Sequence, residues 1–117
     1  PDSVTVMGSG GSTRIRTAIL HGIVNTIQKK LPLSDAIHSP RIHIEPNLIQ
    51  LELYQQPENL LQEIKAHSTY KHYDLEYFDE PSMFFGGLHS AKRMNVDDDV
   101  QYFAIGDPRR DGVGKVL

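Results

Sequence analysis

The 117-residue sequence contains no cysteine. That excludes a disulfide framework and a thiol nucleophile, and it leaves the compartment open. No apolar run approaches the ~20 residues that cross a bilayer as a helix. Basic residues are not in excess either: 12 Lys and Arg stand against 15 Asp and Glu, for a net charge of −3. With no basic stripe, nucleic acid is a poor candidate partner. Internal repeats, low-complexity tracts and linkers are absent. The sequence opens at Pro1 with no methionine and no signal-peptide pattern, so it reads as a processed chain or a piece of a longer one. What remains is a globular composition, 38% hydrophobic and 23% charged, of a length for one modest domain over residues 1–117.

Periodicity supplies the elements. Residues 3–7 are β-branched and weakly alternating, which predicts a strand. Gly8 to Ser12 form a loop. From Thr13 the pattern turns helical, with Ile15, Ile19, Ile23 and Ile27 every four residues and Leu20, Val24 and Leu31 widening the stripe. Ser12 is the expected N-cap, Lys29 and Lys30 suit the C-terminal end of the helix dipole, and Pro32 stops the helix. A short helix over 34–38 ends before Pro40. Two strands, 41–45 and 48–53, break at Pro46-Asn47. Pro57 opens a helix to about His67. Strands follow at 72–78 and 87–94, then a turn at 97–99. A strand over 100–106, apolar on both faces, is expected to be buried. The tail from Asp107 reads as loop. The order is βα(α)ββαβββ, an α+β arrangement with helices over a mainly antiparallel sheet.

The stretch "GSGGSTR" joins a strand to a helix, which invites a phosphate-loop reading. The P-loop spacing is absent. Gly8 and Gly10 fit the dinucleotide pattern, but Thr13 stands at its third glycine. The general physics survives: glycine lets a ligand approach the main chain, and the first N–H groups of a helix lack internal partners. Such a loop could hold a carboxylate, a phosphate or the oxyanion of acyl transfer, or it could be a plain strand-to-helix turn.

The other candidates are weaker. His21, His38, His43, His67 and His72 lack the spacing of a metal site. His43 and Glu45 could share a strand face, but two ligands do not make a site. No metal and no cofactor are expected. Asp97, Asp98 and Asp99 lack the spaced ligands of a calcium loop and read as a solvated turn. Arg109 and Arg110, between Asp107 and Asp111, could grip a carboxylate; local charge pairing is the expected role. Ser9, Ser12 and Ser90 lie outside any Gly-x-Ser-x-Gly elbow.

Several segments in order resemble one family. "GSGGSTRIRTAILHGIVN", "LPLSDAIHSPRIHIE", "LIQLE", "FFGGLHSA" and "IGDPRRDGVG" are similar to successive parts of the γ-glutamyltranspeptidase small subunit, over nearly the whole chain. The resemblance implies an N-terminal-nucleophile hydrolase, with this chain forming part of an αββα sandwich. It also implies a proenzyme that cuts itself into large and small subunits, and a new N-terminal threonine that acts as nucleophile with its own amine as base. The donor would be glutathione or a related γ-glutamyl amide. The glycine pair that binds the oxyanion falls on Gly11-Ser12, or on Gly10-Gly11 after a one-residue shift, which makes Gly10, Gly11 and Ser12 the candidate site residues.

The resemblance also shows what this sequence lacks. None of Thr5, Thr13, Thr17, Thr26 and Thr69 lies in the family's Thr-Thr-His context. The paired serines that hold the substrate α-carboxylate would lie upstream, and the carboxylate-binding arginine would belong to the large subunit. Arg14 is expected to pack or pair structurally. The chain therefore reads as the C-terminal part of a small subunit, inactive alone. Its expected partners are the rest of that subunit and the large subunit, and alone it is expected to self-associate. Exported or outward-facing location would follow from the family. Cephalosporin acylases and poly-γ-glutamate-processing enzymes are the nearest alternatives; a non-catalytic anion-binding or structural module is the other.

Overall fold

The computed structural model describes residues 2–117, so Pro1 lies outside the described residues. Among the described residues, six strands form two three-stranded sheets, ordered β1-β5-β6 and β2-β3-β4. The first is antiparallel throughout: β1 (Ser3–Gly10) and β6 (Asp99–Ile105) flank β5 (Gly87–Val96). In the second, β2 (Ile42–Glu45) runs antiparallel to β3 (Leu48–Glu52). β3 then pairs in parallel with β4 (Asp74–Phe78) after a crossover through α3 (Leu60–Ala66). The mixed α+β class with mainly antiparallel sheet expected from the sequence holds, with one parallel pairing between β3 and β4.

Strand alternation explains the core. On one face of the first sheet, Met7, Leu88 and Ile105 meet Ala18 and Ile19 of α1 (Arg14–Ile23) and Leu33 and Ile37 of α2 (Leu33–His38). Ala18, Ile37 and Leu88 are fully buried, and each large aliphatic chain so buried contributes about 1.5–3 kcal/mol. α1 also reaches the second sheet, where His21 Nε2 lies 3.1 Å from Ile42 N. One helix therefore joins the two sheets.

Several boundaries differ from those expected. β1 continues through Gly10 because strand pairing uses the backbone, and Gly8 and Gly10 still pair with His89 and Gly87. Ser12 is not an N-cap. Thr13 occupies that position, and neither side chain caps the helix. The long helix widens into a π-turn over Val24–Gln28, where Lys29 N–H donates to Val24 O. Asn25, buried there, donates to Ala36 O at 3.1 Å, a bond that ties the helix end to α2. The helix after Pro57 begins only at Leu60. β4 begins at Asp74, since Tyr70, Lys71 and Tyr73 are engaged in turns that follow His67.

Residues 97–98 form a two-residue hairpin turn with φ +48° and +65°. Both values are left-handed, as a type I′ turn requires, and Asp tolerates them. Contrary to expectation, β6 is mostly exposed. Its inward residues Phe103 and Ile105 face the helices' side, while Val100 and Tyr102 join Val4 and Val6 on the opposite face, where Tyr102 is 58% exposed. That face has no second layer among the described residues, apart from the tail that lines it through Val116 and Leu117.

Candidate functional site

The glycine loop lies where β1 leaves its sheet. Gly10 still pairs with Gly87. The chain then reverses through Gly11, at φ +134°, and Ser12, at φ +58°. The first value belongs to glycine alone, and the second is strained for serine. Gly11 O accepts from Arg14 N–H at 3.2 Å, and Ser12 O accepts from Ile15 N–H at 3.1 Å, which starts α1. The loop's carbonyls are therefore used. Its N–H groups are not: those of Gly11, Ser12 and Thr13 donate to no acceptor among the described residues. Gly10, Ser12 and Thr13 are exposed. Three successive unpaired donors at the positive end of a helix dipole make a receptor for negative charge.

A second glycine pair backs the loop. A Cβ on Gly11 would meet Gly86 Cα at 2.7 Å, and one on Gly86 would meet Gly10 O at 2.7 Å. Gly86, at φ +74°, follows the 3-10 turn Met83–Phe85. The two backbones therefore touch, and only glycine fits on either side. "GSGGS" and "FFGG" form one structure, although most of the chain lies between them in the sequence.

Arg14 fastens this arrangement. Its guanidinium lies 3.8 Å from the centroid of the Phe84 ring, donates to Gln50 Oε1 at 3.4 Å and to Thr13 Oγ1 at 3.2 Å. Gln50 in turn donates to Glu76 at 2.6 Å. Arg14 is thus a packing and pairing residue, as the sequence suggested. His43 shares 2.8 Å and 3.1 Å contacts with Thr17 Oγ1 and Glu45 Oε1, so both ring nitrogens are occupied within the scaffold. Burial pushes the His21 imidazole below its usual range, although its backbone bond to Ile42 opposes this. No group of three or more metal-ligating side chains comes together among the described residues.

Beneath the site lies a charge cluster that sequence reasoning missed. Arg109 was expected to pair only locally. It does contact Asp107, at 3.2 Å, but it also grips Glu52 with Nε at 2.7 Å and Nη2 at 2.6 Å. Arg41 donates to the other Asp107 oxygen at 2.6 Å. All four side chains are essentially inaccessible. Further bonds run to the carbonyls of Ile37, Ser39 and Phe85 and from the N–H groups of Arg41, Ser82 and Leu88. Two cations balance two carboxylates, the condition for burying charge. Burial opposes the Asp107 charge, yet Arg41 and the N–H groups of Arg109 and Leu88 hold its carboxyl below the ordinary range. Burial likewise opposes the Arg109 charge, and Glu52 outweighs it and raises that pKa. Burial pushes the Tyr54 hydroxyl up to about 12; it donates to His38 O and accepts from Arg109 at 2.6 Å. The alternation in "DPRRDG" was the available signal, but its long-range partner Glu52 is 57 positions away.

Comparison with known proteins places these features in a wider group. Residues 2–117 match the sequence profile of the gamma-glutamyltranspeptidase family. Among solved structures, the Helicobacter pylori gamma-glutamyltranspeptidase T380A mutant is 25% identical with a TM-score of 0.73, over 90% of this chain and 53% of that one. The Pseudomonas nitroreducens gamma-glutamyltranspeptidase complexed with L-DON is 26% identical with a TM-score of 0.71, over 97% and 55%. The Bacillus anthracis transpeptidase enzyme CapD shares the fold, with a TM-score of 0.78 at 24% identity over 99% and 65%. This chain spans about half the length of the two gamma-glutamyltranspeptidase chains. No match is found among curated protein sequences.

Proposed function

Because the chain belongs to the γ-glutamyltranspeptidase family, we propose that it supplies the oxyanion-binding part of a site that cleaves γ-glutamyl amides of the glutathione type. The observation that carries this reading is the run of unpaired N–H groups at Gly11, Ser12 and Thr13. In acyl transfer a nucleophile adds to the carbonyl carbon, and the carbonyl oxygen takes up a full negative charge. Donors already aimed at that oxygen stabilise the charge with no reorganisation at the moment of reaction. Gly11 and Ser12 are the pair best placed to do so, with Gly86 holding the loop's shape from behind.

The nucleophile in this reading is a threonine at a new N-terminus, contributed by a segment outside these 117 residues. Its amine takes the hydroxyl proton as the oxygen attacks, and then delivers that proton to the departing amine. The γ-glutamyl ester left behind is attacked by water or by an incoming amine, and the oxyanion forms again in the same loop. Its partners are therefore the other part of the small subunit and the large subunit. The exposed apolar face with Val4, Val6 and Tyr102 is suited to contact with them.

The test uses a γ-glutamyl anilide. The complete processed protein is expected to release the aniline and to carry a γ-glutamyl ester on its N-terminal threonine. The 117-residue chain alone is expected to release none. Turnover in proportion to the concentration of this chain overturns the division of labour, and an inactive complete protein overturns the γ-glutamyl reading.

A further inference from the structure

Within the glycine loop, Ser12 is the residue whose backbone and side chain are at odds. Its φ of +58° is left-handed, a region that glycine enters freely and serine enters at a cost. The residue is exposed, so a glycine in its place would leave no cavity. Its carbonyl accepts from Ile15 N–H and helps to start α1, but its side chain caps nothing. The hydroxyls on either side are engaged: Thr13 Oγ1 accepts from Arg14 at 3.2 Å, and Ser9 Oγ donates to Gly10 O at 3.5 Å. That of Ser12 has no partner among the described residues. Strained backbone is characteristic of functional sites, where the strain is offset by what the residue does.

Covalent geometry decides what this hydroxyl can reach. In a staggered rotamer a serine Oγ stands about 3–4 Å from the nitrogen of its own residue. An oxygen that accepts from the Ser12 N–H is therefore within reach of the Ser12 O–H as well. A carbonyl oxygen has two lone pairs, which the N–H groups of Gly11 and Ser12 can fill. The oxyanion of a tetrahedral intermediate has a third. It appears only as the carbon becomes tetrahedral, so a donor that meets it acts on the transition state and not on the bound substrate. We propose that the Ser12 hydroxyl is a catalytic residue, a third donor to the oxyanion beside the two N–H groups. This role rests on the acyl-transfer reading of the loop but not on the acyl group being γ-glutamyl. No bond to Oγ forms. Its O–H donates as the carbonyl π pair passes to oxygen, and the contact weakens when the carbonyl re-forms and the leaving amine departs.

Two variants of the complete processed protein test it. Ser12→Gly keeps the N–H, removes the hydroxyl and relieves the backbone; Ser12→Ala removes the hydroxyl and keeps the backbone constraint. Each is compared with the unaltered protein on a γ-glutamyl anilide and on p-nitrophenyl acetate. The expected result in both variants is a fall of roughly 10- to 100-fold in kcat, the scale of one hydrogen bond to a charged group. KM should stay the same, as for an interaction made only in the transition state. The thermal midpoint of Ser12→Gly should be at or above that of the unaltered protein. A loop that needs only a conformation at this position gives the opposite order, with Ser12→Gly as fast as the unaltered protein or faster. That outcome, a loss carried by KM alone, or a depressed midpoint in Ser12→Gly overturns the catalytic role and leaves the γ-glutamyl reading in place. Acylation by p-nitrophenyl acetate that depends on Ser12, with none by the anilide, does the reverse. Acylation by neither reagent overturns both.

Discussion

The glycine loop and the buried charge cluster both adjoin the stretch Phe85–Leu88, the loop through Gly86 and the cluster through Phe85 and Leu88, and they treat polar groups in opposite ways. In the cluster, Arg41, Glu52, Asp107 and Arg109 are paired and hydrogen-bonded to one another and to nearby backbone, and four charges cancel out of water's reach. In the loop, the N–H groups of Gly11, Ser12 and Thr13 have no partner among the described residues. A scaffold must satisfy its buried polar atoms, because each orphan costs about 1–3 kcal/mol. A binding site must do the reverse and keep its donors free for a ligand. The adjacent arginines differ in the same way: Arg109 is held in the cluster, whereas Arg110 forms no ion pair among the described residues.

The strongest way to break the contrast is to treat the cluster as dispensable. Arg109→Met leaves Glu52 charged, buried and short of its main partner, so a loss of about 3–5 kcal/mol in denaturant stability of the complete protein is expected. Adding Glu52→Gln removes the stranded charge, and the double variant should recover part of that loss. A single variant as stable as the unaltered protein would show that the scaffold does not depend on the cluster.

The next effect belongs to the loop. In the complete processed protein, Gly11→Pro removes one N–H, and its ring cannot adopt φ +134°. The acylation rate should fall by about 10²-fold or more, the usual scale for one oxyanion donor. A Cβ at this position would also meet Gly86 Cα at 2.7 Å, so some loss of stability accompanies the change; an unchanged kcat would remove Gly11 from the site.

A third outcome concerns the uncovered sheet face. The isolated chain should self-associate and bind a hydrophobic dye through the surface that includes Val4, Val6 and Tyr102. Sedimentation that shows a dye-free monomer would count against that role.

The smallest effect is on pH. His21 and Asp107 both have folded pKa values below their free values, which are 6.5 and 3.8. The unfolded chain therefore binds their protons first, and each group's contribution to stability is lost on acidification. Stability should hold above pH 6.5, decline modestly below it through His21, and fall again below pH 3.8 through Asp107. His21→Gln should remove the first decline. Stability that is constant from about pH 7 to about pH 5 in the unaltered protein would show that burying the neutral His21 ring contributes no such dependence.

Much of this was legible in the sequence because the signals were local. The isoleucine stripe from Ile15 to Ile23 marked α1, the alternation in 72–78 marked β4, and the glycine-rich stretch marked a turn at a helix start. Ordered short motifs pointed to the family over nearly the whole chain. The errors were equally physical. Ser12 resembles a cap because cap preference is a side-chain statistic, whereas the backbone here places Ser12 at positive φ. β6 resembles a buried strand because its residues are apolar, but apolarity records a need for cover and does not say whether the cover lies within these residues.

The amino-acid sequence by itself determined most of the elements, their order and the sharp turn of the loop, because propensity, periodicity and glycine's conformational freedom act over a few residues. Only the tertiary structure decided that Gly86 supports Gly11 and that Glu52 claims Arg109. Those facts depend on atoms brought within 4 Å from positions far apart in the chain. No local preference encodes such distances; packing the helices and the two sheets against one another does.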